Sequence, residues 1–444
     1  MYYYVSKAPL IGFFVFILAF LIFRYLTRRT RISEFDSLGV LNITVALSVV
    51  LLIVFFLGGY IHFSSLIQIF ILILSFYFGI YLMSLLFASS LKRDRSSDAV
   101  EMFAYDNLKM LNLVTMLLFF VIVSGILSFS LFETYGSPDE RLLIAKANRI
   151  IDMVRIGVSS VFPYYAIGLY LITKRRIYLL FVFLAVMVGF FSGSKGFILS
   201  YIIVYFTLDG LFNGKRNIKF YFKSSHLFGI FIASAIGVRI FWGSTIEQSF
   251  MEIQDRILSA GDIYYYAFIS GDYTKLFGQY SLLSYILHPF TSIIGIRGYE
   301  WPVGALIKST GGLEVTGTGP NPHLPILALV LMNGSYFPGL LFSFLAGCFV
   351  CILRIFALKF ISRKKYPPYW RIAFFSVFFG SISWLYVDIG LFQFALIGTF
   401  GITLIFSVFY EFILGLKYKR KKPTEFRRLK KISSFEPRQD FPNR

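Results

Sequence analysis

Charge, cysteine and histidine are scarce in this chain of 444 residues: 15% are Asp, Glu, Lys or Arg, two are Cys and four are His. Cys348 and Cys351 form a Cys-x-x-Cys inside an apolar run. A redox or metal centre needs a polar setting and further ligands, so both are read as packing residues. No group of His, Cys and carboxylates has metal-ligand spacing, and no Asp-x-Asp pair is available to a divalent ion. No Gly-rich loop ends in Gly-Lys-Ser/Thr, the phosphate cradle of nucleotide-binding proteins. Neither a metal, a cofactor nor a nucleotide is therefore expected.

What is abundant is apolar surface: 57% of residues are hydrophobic and the mean hydropathy is +0.72. Apolar runs of about 18 residues or more recur, each long enough to cross a hydrocarbon core of about 30 Å as a helix. Continuous rather than alternating runs favour helices over a barrel. The expected fold is an all-α integral membrane protein of about 11 transmembrane helices, with 10 to 12 compatible, and one large outer-side loop containing short helices. The net charge of +20 sits in short loops between spans, the pattern of the positive-inside rule and not of a nucleic-acid partner.

Arg24, Arg28, Arg29 and Arg31 follow the first span, 9–26, and mark its exit as cytoplasmic, so the N-terminus is expected outside. Spans are read at 40–60, 65–89, 110–132, 156–173, 177–192, 197–212 and 225–242. The balanced charges from Glu133 to Arg155 suit an outer loop. Residues 1–242 thus hold the first eight helices, and 243–323 form a large periplasmic or extracellular loop. Between Glu247 and Glu314 that loop carries seven acidic and four basic residues. Residues 324–415 give a half-helix at 324–332, too short to span, and the last three helices, 338–358, 369–387 and 389–414, with a turn outside at Asp388. Residues 416–444 are a basic cytoplasmic tail, with nine Lys/Arg against one acid from Lys417 to Lys431.

An ionisable residue at membrane depth is a functional candidate. Mid-span positions read as nearly charge-free, which argues against a transport path. The candidates gather instead on the outer face: Lys195, Arg239 and Asp388 at span ends, and Arg256, Arg297 and His323 in the loop. Several fixed cations at one face suit a diphosphate, which arginine grips bidentately. Each has a plainer reading as well: Lys195 as a snorkelling side chain, and Arg256 as a salt-bridge partner of Asp255 or Asp262. His323 follows the Gly317-Thr318-Gly319-Pro320-Asn321-Pro322 approach and precedes the half-helix. There it serves either as a general base or as a helix-terminal polar residue. Tyr264, Tyr265, Tyr266, Tyr273, Tyr280, Tyr285, Tyr299 and Trp301 supply faces for sugar stacking or for an interfacial belt.

Three features resemble the bacterial O-antigen polymerase family (oligosaccharide repeat-unit polymerases) and, more distantly, the O-antigen ligases. They are the turn Ser192-Gly193-Ser194-Lys195-Gly196, the run from Arg256 through Ser259-Ala260-Gly261-Asp262 that opens the loop, and His323 with Gly334 leading into a span. The family turn often carries arginine where Lys195 stands. The resemblance implies a metal-independent glycosyltransferase of the bacterial inner membrane. It would polymerise undecaprenyl-diphosphate-linked oligosaccharides, as donor and acceptor, into O-antigen or capsule. His323 would take the acceptor proton. Arg256, with Arg239, Arg297 and Lys195, would hold the leaving diphosphate, and Asp262 would orient an arginine or the acceptor. Besides membrane lipids, a chain-length regulator protein is compatible as a partner. The alternatives are a ligase or a flippase of lipid-linked oligosaccharide.

Overall fold

The structure, a computed structural model, describes residues 9–33, 36–87, 149–180, 196–213, 245–248, 261–291, 303–312, 320–363 and 368–420, with a few single positions besides. Among these, every regular element is helical. Three long helices open the chain: α1 Pro9–Thr27, α2 Ser37–Leu57 and α3 Phe63–Leu86. α4 Arg149–Thr173 and α5 Gly196–Asn213 follow. Three short helices come next, α6 Asp262–Phe268, α7 Leu282–Thr291 and α8 Val303–Ser309. Then come α9 Leu324–Leu331, α10 Tyr336–Ile361, α11 Pro368–Phe375, a π-helical segment Ser376–Ser381, α12 Trp384–Val387 and α13 Ile389–Arg420. The first compact unit ends at Ile402, and the second begins at Thr403.

Four described helices are long and apolar enough to cross a membrane: Leu10–Thr27, Ser37–Leu57, Phe63–Leu86 and Tyr336–Ile361. Three shorter apolar stretches, Val161–Thr173, Tyr201–Phe212 and Ile389–Ile405, accompany them. The expected span 110–132, all but two positions of 225–242, about two thirds of 177–192, and the tail beyond Arg420 lie outside the described residues. α4 begins at Arg149. Arg149, Asp152 and Arg155 are therefore on a helix, where the sequence reading has a loop.

The first unit is organised around the crossing of α3 and α10. They run parallel: Ser75 donates to the Leu340 carbonyl (3.0 Å), Cys348 Sγ lies 3.7 Å from the Gly79 carbonyl, and Lys359 Nζ sits 5.9 Å from the Phe87 ring. Glycines set the approach. A Cβ on Gly347 would run into the Phe76 carbonyl, and one on Gly79 would come within 2.9 Å of the Cys348 nitrogen as well as striking the Phe344 carbonyl. Small residues recur every four positions on α10, at Gly339, Ser343, Gly347 and Cys351, and present one smooth row. Both cysteines are free and buried in this seam, as packing residues. Gly347→Leu is expected to separate the two helices. The check is size-exclusion chromatography of the detergent-solubilised protein, which should shift from a monodisperse peak to aggregate.

α9 folds back on α10 as a short hairpin. Pro325 in the first turn suits the helix start, having no N–H to leave unpaired. Its end is set by Asn333 and Gly334, both at positive φ (52° and 75°), and Gly334 N–H closes onto the Leu329 carbonyl (2.8 Å). A Cβ on Gly339 would meet Ala328 at 3.8 Å, so the pair is antiparallel. Every residue of α9 is buried. At about 1.5 Å per residue, its eight residues carry His323 about 12 Å down from the turn. The turn thus lies at the bundle end, and the histidine is the deep end of the half-helix.

At the opposite end of α10 lies a charged centre. Arg354 and Asp36 are both fully buried and pair at 2.6 Å. The guanidinium also donates to Ser37 Oγ and the Thr30 carbonyl (both 3.1 Å), and stacks 4.0 Å from the centre of the Phe379 ring. Asp36 caps α2, accepting from Gly39 N–H (2.9 Å), and also accepts from Ile32 N–H (2.8 Å). Ser37 in turn donates to the Phe379 carbonyl within the π-helical segment. The expectation of nearly charge-free spans is corrected here: Arg354 sits inside an apolar helix, kept there by one ion pair and two further hydrogen bonds.

Candidate functional site

His323 is 3% exposed and caps α9 with an unusual backbone, φ 36° and ψ 141°. A non-glycine residue there is strained and needs to be held. Two backbone bonds hold it: its N–H donates to the Val387 carbonyl (3.1 Å), and its own carbonyl accepts from Leu327 (3.0 Å). The first ties the half-helix to the end of α12 and brings Tyr386 and Asp388 alongside.

Two tyrosines flank the imidazole. Tyr264 of α6 meets it edge-on at 5.9 Å between ring centres, and Tyr386 of α12 lies at 5.7 Å. Phe76 of α3 packs on Tyr386 at 5.0 Å. α6 reaches this depth because Gly261 lies against α2, where a Cβ would meet the Ser48 backbone at 3.3 Å. Ile263, Tyr264 and Ala267 are consequently buried. The α6 stretch of 243–323 is therefore packed into the helix bundle.

The polar atoms of this cluster are left without partners. His323 Nδ1 and the hydroxyls of Tyr264, Tyr386 and Tyr77 are all buried and make no hydrogen bond. The Tyr264 and Tyr386 hydroxyls are close enough to influence one another. Neither meets hydrogen-bond geometry, so both count as unpaired. Each such group costs about 1–3 kcal/mol unless a partner meets it.

Asp388 joins the edge of the cluster. Its Oδ1 accepts from Gly390 N–H (2.8 Å) and faces the Tyr285 hydroxyl at 3.5 Å. Gln393 donates to the Ile286 carbonyl (2.7 Å) and anchors α7 over the same end of α13. On the other side of the hairpin turn, Asn333 Oδ1 accepts from Gly278 N–H (2.7 Å), and Phe277 packs where a Gly334 side chain would lie. The segments 261–291 and 320–335 thus close on each other at two points.

Burial pushes His323 down from 6.5 to about 4, so the imidazole is neutral near pH 7. Burial pushes Asp388 up from 3.8 to about 6, against the opposing hydrogen bonds from Gly390, Leu391 and Tyr285. The two act oppositely on stability. A depressed histidine contributes stability above its unfolded value that is lost as pH falls from 6.5 to about 4. A raised aspartate is penalised near neutrality and relieved as pH falls from 6 to 4. The two groups therefore oppose one another as the pH falls from 6.5 to 4. His323→Gln should grow more stable on acidification and Asp388→Asn less stable, read as melting temperature against pH.

Of the other sequence candidates, Asp262 opens α6 two residues before Tyr264, so its helix is brought to His323. Arg256, Arg239, Arg297 and Lys195 lie outside the described residues. His288 is buried within α7, and His62 stands at the start of α3 without a side-chain cap bond. Sequence reasoning did not single out Tyr386 or Tyr77, which carry no local signal, nor Asp36 and Arg354. For Asp36 one signal exists, a helix-capping aspartate after a basic turn.

Fold and site together define an all-α membrane-embedded protein with a buried, polar histidine–tyrosine cluster at a broken helix. Compared with family models, curated proteins and solved structures, the chain matches none.

Proposed function

We propose that the protein polymerises oligosaccharide repeat units carried on undecaprenyl diphosphate, at the outer face of the bacterial inner membrane, with the N-terminus outside and the C-terminus in the cytoplasm. The observation that carries this reading is the buried, neutral His323 with a free Nδ1 at a strained helix cap, beside two unpaired phenols. A neutral imidazole with an open lone pair is a general base for a hydroxyl. In the reaction, the acceptor sugar's hydroxyl oxygen bonds to the donor's anomeric carbon. The bond from that carbon to the diphosphate breaks, undecaprenyl diphosphate leaves, and the acceptor proton passes to His323. Arg256, Arg239, Arg297 and Lys195 neutralise the leaving diphosphate, an electrostatic role. Asp262 orients an arginine or the acceptor.

The test is a gel of surface polysaccharide from a strain lacking the gene, with and without the wild-type gene restored. Single repeat units on the lipid core without the gene, and a full ladder with it, are expected. A core bearing no repeat unit at all without the gene would assign the protein to ligation or flipping instead.

A further inference from the structure

The sugar that meets His323 must be recognised by something, and the cations proposed for the diphosphate are the wrong chemistry for that task. We propose that Tyr264, Tyr386 and His323 form a binding site for an uncharged, hydroxyl-bearing group. On the polymerase reading, on which the ligand's identity rests, that group is the acceptor sugar. The two tyrosines are positioning residues.

Three observations converge on this site. First, both tyrosine rings touch the imidazole, at 5.9 Å and 5.7 Å, and the two hydroxyls are close enough to influence one another. Second, the three polar atoms complement a hydroxyl: each phenol can donate and accept, and Nδ1 accepts. All three are buried and unpaired. Third, the surroundings disfavour an anion. Asp388 follows the residue that bonds to His323, and its charge would oppose a phosphate.

The proposal also explains why the cluster comes from distant parts of the chain. α6, α9 and α12 each supply one ring, and each is a short helix of four to eight residues. Short helix ends aim side chains inward where a continuous span would present only its flank, as in the broken helices of membrane binding sites.

The test compares the full-length protein in lipid nanodiscs with Tyr264→Phe/Tyr386→Phe. Melting is followed alone and with lipid-linked repeat units extracted from a strain lacking the gene. Removing unpaired hydroxyls should raise the melting temperature of the unliganded variant by about 2 °C or more. The added glycolipid should stabilise wild type, and at least half of that shift should vanish in the variant. A variant that melts lower than wild type would overturn the proposal, because the hydroxyls would then be structural. So would a variant that keeps the full glycolipid shift. The polysaccharide gel separates this failure from the other. A restored ladder with an unchanged shift rejects the site and leaves the polymerase. No ladder and no shift in wild type rejects the polymerase, and with it the sugar as ligand. Tyr264→Phe and Tyr386→Phe singly provide the same comparison should the double variant fold poorly.

Discussion

Cells carrying His323→Ala in place of the wild-type gene are expected to make lipid core with a single repeat unit and no ladder. The altered protein should reach the membrane at a normal level. Loss of a positioned general base costs about 10²- to 10⁴-fold in rate, enough to erase a polymer that needs many successive additions. His323→Gln is the sharper variant, since it keeps the volume and a polar tip but cannot take a proton near pH 7. Both variants should fail alike, and in purified protein both should still bind lipid-linked donor. A full ladder from His323→Gln would remove proton transfer at this residue from the mechanism and leave it as a helix-terminal polar group.

The second large effect lies at the other end of α10. Arg354→Met should destabilise the protein by about 3–5 kcal/mol, because it strands the fully buried Asp36 carboxylate. It also frees the Thr30 carbonyl and uncovers the Phe379 ring. Asp36→Asn should also destabilise strongly, since its single amide oxygen can serve either the cap or Arg354 but not both, and the buried guanidinium loses its counter-charge. The double variant Asp36→Asn/Arg354→Met should recover part of the loss, because no lone buried charge remains. Melting of the four proteins in one detergent gives the coupling directly. Strict additivity of the two changes would show that the pair contributes no interaction of its own.

The long helices were legible because hydrophobic runs declare themselves locally. Ser37–Leu57 is observed where 40–60 is expected, and Tyr336–Ile361 where 338–358 is. The half-helix was legible too: Pro325 and the Asn333-Gly334 pair bracket a run too short to span. Its direction was not, because only the Gly339–Ala328 approach reveals which end is deep. Arg354 was overlooked for a similar reason. Seen in sequence it sits near the basic end of an apolar run, and only the distant Asp36 makes it a buried charge. Tyr264 stood in a run of three tyrosines with nothing to say which one turns inward. That is decided by Gly261 against α2, a contact between segments some 210 residues apart. Charge counts gave 243–323 as a polar loop, and they do not show that Ile263, Tyr264 and Ala267 of its helix α6 pack among the other helices.

The parallel seam of α3 and α10 has a consequence for how the chain is made. Ser75 and its partner carbonyl are 265 residues apart, and Asp36 and Arg354 are 318 apart. At a synthesis rate of about 5–20 residues per second, the glycine notch of α3 waits roughly 10 to 50 seconds for the helix that fills it. Asp36 waits longer still for its arginine. During that interval the nascent protein carries an unfilled groove and a carboxylate without its counter-charge. The same helix ends both exposures, so arrival of α10 fills the groove and pairs the charge in one step.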